Sequence, residues 1–186
     1  KNIKFKYFGS EYNQFENLNL EIPLNKHTII TGPNGSGKST LLGIIAGVFV
    51  PEQGEIISSS TKYSYVGATP MILDSTLREN LKYGNKENID DSKLIQLVED
   101  FKLFKESNVD LNLMVNNKSL SSGQMQKISF IRALISNSDI LFLDESTSNL
   151  DDESKNYISS ILDSLSITIV NCTHNPEDFN FDTNIK

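Results

Sequence analysis

The chain has 186 residues and a formal net charge of −7, from 24 Asp and Glu against 17 Lys and Arg. That length can bury a good core and suits one domain, or one domain with a small lobe, and the acidic balance disfavours a general electrostatic grip on nucleic acid or on an anionic lipid surface. A single cysteine, Cys172, excludes an internal disulfide and fits a reducing compartment.

The first residues, KNIKFKYF, lack the apolar core of a secretion signal and a starting methionine, so the expected context is an excised piece of a longer polypeptide. Residues 27–31 read as the first clear strand. Directly after it come Gly32, Pro33, Asn34, Gly35, Ser36, Gly37, Lys38, Ser39 and Thr40, followed by a helical pattern over 38–47. A glycine-rich turn between a strand and a helix is the setting that the Walker A pattern requires. Glycines let consecutive N–H groups face phosphate oxygens, and the helix start adds its positive dipole end. Lys38 is expected to reach the β and γ phosphates of ATP, and the Ser39 hydroxyl to ligate Mg²⁺. The longest apolar run, residues 41–50, is about half of what a spanning helix needs and is broken by Gly43 and Gly47. The chain by itself is therefore expected to be soluble, with any membrane contact made through another protein.

Strands are next expected at 54–58 and 62–66. The stretch 75–136 reads as mainly helical and is a candidate lobe, with Leu94, Leu97, Val98, Phe101 and Phe104 at helical spacing. Leu120, Ser121, Ser122, Gly123 and Gln124 precede a second stripe at Ile128, Ile131, Leu134 and Ile135, which puts serine and glycine N–H groups at a helix start. Alone, that segment is a serine-capped helix. Residues 140–144 form an apolar strand ending in Asp144 and Glu145, a Walker B arrangement. In a parallel sheet the strand ends share one rim, so Asp144 is placed to hold Mg²⁺ and Glu145 to act as general base on water. A further helix stripe (Ile158, Ile161, Leu162, Leu165) and a strand over 167–172 complete the pattern. Strands alternating with helices predict an α/β fold with substantial parallel pairing. No repeat or Pro/Gly linker marks a domain boundary.

Walker motifs alone leave kinases, helicases and motors open. LSSGQ at 120–124, about twenty residues before the Walker B strand, resembles the LSGGQ signature of the ABC (ATP-binding cassette) family. Ser148, Asn149, Leu150 and Asp151 resemble its D-loop, His174 its switch histidine, and Tyr7 in KFKYF the aromatic that stacks on adenine. The resemblance covers nearly the whole chain and implies a P-loop NTPase core over about 1–74 and 137–186. It adds an antiparallel β portion at the N-terminus and a helical subdomain over about 75–136. It implies ATP and Mg²⁺ as ligands, with Lys38, Glu145 and His174 catalytic and Ser39 and Asp144 on the metal. Tyr7, residues 32–40, Ser121, Ser122, Gly123, Gln124 and Asp151 would contact nucleotide. It further implies a head-to-tail dimer with a second such domain, in which Ser121 and Gly123 serve the partner's γ-phosphate, and a transmembrane domain as partner at the cytoplasmic face of the cell membrane.

SerThrLeuArgGluAsnLeu at 75–81 resembles the GTIRENI stretch of exporter-type members. The expected function is an ATPase powering an exporter; the alternatives are an importer subunit or a soluble ABC ATPase. Met71, Ile72 and Leu73 are candidates for a surface that receives the membrane partner, or for plain core packing. No nucleic-acid partner is expected. Two departures stand out: Ala68 occupies the position where most members carry a glutamine beside Mg²⁺, and Ser122 replaces the signature's first glycine. Tyr7 has a packing role as its alternative, while His27 and Cys172 read as structural.

Overall fold

A computed structural model of the chain describes residues 1–85, 89–105 and 108–186. The elements run β1 (Ile3–Phe5), β2 (Phe15–Leu18), β3 (His27–Ile30), α1 (Lys38–Ile45), β4 (Tyr63–Val66), β5 (Ser75–Thr76), α2 (Leu77–Lys82), α3 (Asp91–Asp100) and β6 (Met114–Val115). After them come α4 (Ser122–Ile135), β7 (Ile140–Asp144), α5 (Asp152–Ser164), β8 (Thr168–Cys172), a 3₁₀ turn at Pro176–Asp178, and β9 (Thr183–Ile185). The chain divides into two compact units: Lys1–Tyr63 with Asp139–Asp144 and Ser166–Lys186, and Ser64–Ser138 with Glu145–Leu165.

The first unit contains four strands of the five-stranded principal sheet, in the order β7-β8-β3-β9. Every pairing among them is parallel, with Phe142, Val170 and Thr28 in register along one row and Asp144, Cys172 and Ile30 along the row two positions on. β7 and β8 are buried nearly throughout, which is why ILFLD and TIVNC are apolar runs and do not alternate. One face of this sheet receives α1: Ile30, Phe142, Val170 and Cys172 pack with Leu41, Leu42 and Ala46. Cys172 is fully buried, a small filler whose thiol donates to the Lys38 carbonyl at 3.6 Å. β1 and β2 pair antiparallel as a separate two-stranded piece, as expected for the N-terminal portion.

The strand expected at 54–58 is not formed. Two backbone pairs, Lys4 with Gln53 and Lys1 with Glu55, link this segment to the N-terminal edge, and they are out of register with each other by one residue. Gly54 has φ +94, and a Cβ there would come within 2.5 Å of the Asn2 carbonyl oxygen. Asn2 itself is left-handed at φ 54, so the ladder is bent out of register at its first rung. Ile56 and Ile57 then remain 41% and 73% exposed.

The second unit is mainly helical. α2 packs on α4 and α3, and β5 pairs antiparallel with β6 through Ser75–Val115 and Thr76–Met114. Its helix starts are written in the sequence. Thr76 with Glu79 and Ser121 with Gln124 form capping boxes, while Asp90 and Asp151 cap α3 and α5. A buried polar clamp ties the unit together. Asn80, 0% exposed, accepts from the Leu73 N–H and donates to the Leu73 and Thr76 carbonyls. Arg132 of α4 donates to the Asn80 carbonyl, the Asn80 side chain and the Met71 carbonyl. No helix among the described residues is long and apolar enough to cross a membrane.

Candidate functional site

The carboxyl ends of β3, β7 and β8 carry a group of polar side chains in the first unit. After β3 the chain turns through residues 32–37 and enters α1 at Lys38. Gly35 (φ +80) and Gly37 (φ +100) supply the left-handed conformations that the turn requires. The start of α1 differs from those of α2 to α5. Each of those receives a capping side chain, but α1 opens on Gly37 with no side-chain cap and no acidic residue in its first turn. Uncapped N–H groups at the positive end of a helix are an anion site.

Lys38 folds back over this loop, its Nζ donating to the carbonyls of Gly32 at 3.0 Å and Pro33 at 3.2 Å. These are soft, partly exposed contacts, and a triphosphate is a stronger partner for an ammonium than two carbonyls. His174, just after β8, stands with Nε2 3.5 Å from Lys38 Nζ. Ser39 Oγ donates to Asp144 Oδ1 at 2.9 Å. A hydroxyl and a carboxylate converging beside an anion cradle fit Mg²⁺, which takes few protein oxygens and completes its shell with phosphate and water. No cluster of three or more His, Cys, Asp or Glu side chains suited to a metal is found among the described residues.

Tyr7 leaves β1 and reaches the same helix start. Its hydroxyl lies 2.6 Å from Thr40 Oγ1, and its ring meets Phe5 and Phe49 edge-on while remaining 43% exposed. The ring thus packs on its neighbours while staying partly open to solvent. Tyr7, residues 32–40, Asp144 and His174 all belong to one unit and one rim.

Glu145, Ser121, Ser122, Gly123, Gln124 and Asp151 belong to the second unit. Glu145 follows Asp144 directly and adopts φ 50, a conformation that costs a non-glycine residue about 1–3 kcal/mol and that recurs at active sites. Ser148 donates to its carbonyl through both N–H and Oγ, at 3.4 and 3.1 Å. In the signature turn, the Ser121 hydroxyl accepts from the Gln124 N–H at 3.2 Å, which leaves its own proton to donate. The Gln124 side chain is spent locally, accepting from the Ser121 N–H and donating to the Leu103 carbonyl. Ser122 is the first, exposed residue of α4. A Cβ on Gly123 would lie 3.0 Å from the Asn149 carbonyl, so the signature turn rests against the segment resembling the D-loop.

Asp151 accepts from the Ser154 N–H at 2.8 Å, which holds its carboxyl below the usual carboxylate range, and Lys127 Nζ lies 3.9 Å away. Its carboxylate therefore begins α5 within the chain's own structure. Ala68 is exposed, and the carbonyl of Gly67 before it accepts from Gln126 Nε2 of α4 at 3.1 Å. Gln126 is fully buried; sequence reading passed over it because a polar residue inside an amphipathic stripe carries no signal of its own. Of the three candidates for a partner surface, Met71 is 51% exposed and Ile72 is buried. His27 is buried edge-on to Phe179, as a structural residue.

A glycine-rich turn before an uncapped helix start, with a hydroxyl–carboxylate pair at the end of a neighbouring parallel strand, is the arrangement of the P-loop class of nucleotide-binding domains. The family pattern described as ABC transporter matches residues 15–148. The chain is 35% identical over 167 residues to ABC transporter B family member 17 of Arabidopsis thaliana, covering 80% of this chain and 14% of that protein. It is 31% identical over 182 residues to the ATP-dependent lipid A-core flippase of Escherichia coli K12, covering 89% of this chain and 31% of the flippase. The chain belongs to the ABC transporter family and is its nucleotide-binding ATPase domain. It spans less than a third of the length of these relatives.

Proposed function

We propose that this domain binds ATP with Mg²⁺ and hydrolyses it to power an exporter. The observation that carries the reading is the uncapped start of α1 with Lys38 above it and the Ser39–Asp144 pair beside it. The cradle N–H groups and Lys38 take the β and γ phosphates, and Ser39 and Asp144 hold the cation, which neutralises charge on the transferred group. Glu145 accepts a proton from the attacking water as its oxygen bonds to the γ-phosphorus and the bond to the β–γ bridging oxygen breaks. His174 donates to the γ-phosphate, and Tyr7 offers its ring face to the adenine.

A head-to-tail dimer supports turnover on this reading. Ser121 still has a proton to give, and Gly123 stands at a helix start, so residues 121–124 of one copy complete the site of another. Residues 75–136 act as the signature-bearing lobe. The membrane partner is a transmembrane domain, and the domain works at the cytoplasmic face of the membrane. The relatives named above, an ABC transporter B family member and a flippase, support the exporter assignment.

The test is turnover of Mg-ATP by the wild type and by Glu145→Gln, with oligomeric state followed by light scattering. Slow turnover with ATP-dependent dimerisation in the variant supports the reading; normal turnover in the variant removes Glu145 from it.

A further inference from the structure

A loop that turns its N–H groups inward to phosphate turns carbonyls outward, and those need donors. Lys38 serves the Gly32 and Pro33 carbonyls, but it is the group that phosphates would draw away. The Ser36 carbonyl has another donor: Gln14 Nε2, at 3.3 Å. Gln14 is anchored in turn, its backbone N–H donating to the Phe5 carbonyl at 2.8 Å. Its side chain and the ring of Phe15 stand against Gly37, where a Cβ would come 2.6 Å from Gln14 Nε2 and 2.9 Å from Phe15 Cζ. Gly37 is the left-handed residue from which α1 starts.

We infer that Gln14 is a positioning residue of the phosphate cradle. Its carboxamide holds the Ser36 carbonyl outward and so keeps the N–H groups of that turn facing the nucleotide, whether or not Lys38 has left the loop. This deepens the nucleotide-binding reading above and rests on it. A cradle already shaped loses less conformational freedom when ligand arrives. The contribution is made equally to bound ATP and to the transition state, so it belongs in KM and not in kcat.

The test uses the full chain with Gln14→Met and Gln14→Glu, two near-isosteric side chains that both lack the donor. Mg-ATP affinity is measured by calorimetry, KM and kcat by phosphate release, and amide hydrogen exchange at residues 35–38 without nucleotide. Both variants should raise Kd and KM about three- to tenfold, the worth of one hydrogen bond. They should leave kcat within about twofold and speed exchange in the turn. Four results overturn the role: unchanged Kd in both variants, a rise in Gln14→Glu alone, a fall in kcat at constant KM, or loss of folded structure in both. A wild type that bound no Mg-ATP would sink the nucleotide reading itself, whereas normal binding by the variants beside a binding wild type sinks only Gln14.

Discussion

Ser39 Oγ donates to Asp144 Oδ1 at 2.9 Å, across 105 positions of sequence, and joins the first turn of α1 to the end of β7. Asp144 is 9% exposed, so its carboxylate is poorly hydrated and gains from a cation partner. The pair predicts how the protein depends on Mg²⁺. Asp144→Asn should raise the Mg²⁺ concentration for half-maximal turnover by about 10–100-fold. A magnesium titration of activity at saturating ATP gives the number directly, and Ser39→Ala should move it in the same direction.

Lys38 bonds the Gly32 and Pro33 carbonyls and so holds its ammonium over the loop. Replacing it by alanine removes charge-assisted hydrogen bonds worth about 1.5–3 kcal/mol. The expected outcome is a Kd for ATP weaker by about 10–100-fold, read by fluorescence of a labelled nucleotide, with the unfolding midpoint little changed.

Glu145 carries its side chain on a strained backbone at φ 50. In the general-base role, Glu145→Gln should lower kcat by about 10²–10⁴ while ATP binding stays near wild type. Glu145→Gly, which relieves the backbone, should be as inactive yet no less stable to urea; a clear loss of stability would show that the strain is not there.

Asn80 is 0% exposed, and every polar atom of its side chain is bonded, to Leu73, Thr76 and Arg132. Asn80→Leu strands several of those groups away from water, at about 1–3 kcal/mol each. We expect about 3 kcal/mol or more of lost stability by urea unfolding, enough to distinguish this site from an ordinary surface asparagine.

The Asp182 carboxyl is held below the usual carboxylate range by the His27 backbone N–H at 2.9 Å, with the Lys26 ammonium at 3.0 Å adding to it. A lowered folded-state pKa means that the stabilisation is fully present above the unfolded value, near about 3.9. It is lost as pH falls through the folded value. Wild type should therefore be more stable than Asp182→Asn at pH 7, and the gap should close on acidification below pH 4. A gap that widened in acid would contradict the sign.

Much of the site was legible in the sequence because its pieces are local. A glycine-rich turn before a helix, an apolar strand ending in two carboxylates, and Ser121 with Gln124 three positions on each state their geometry within a few residues. The buried strands β7 and β8 were equally plain, since parallel strands covered on both faces are written as unbroken apolar runs. The expected strand at 54–58 failed for a reason no local pattern carries: its pairing with the N-terminal edge slips where Asn2 and Gly54, both at positive φ, lie against each other.

The sequence by itself determined that a glycine-rich turn before a helix, a buried strand ending in Asp144 and a serine-capped helix start would exist, because short-range backbone chemistry makes each of them. Only the tertiary structure decided which distant groups meet: Ser39 with Asp144, Tyr7 with Thr40, and the Gln14 side chain with the Ser36 carbonyl. Such meetings depend on strand order and register, which fix distances between residues far apart in the chain and leave no mark on the residues themselves.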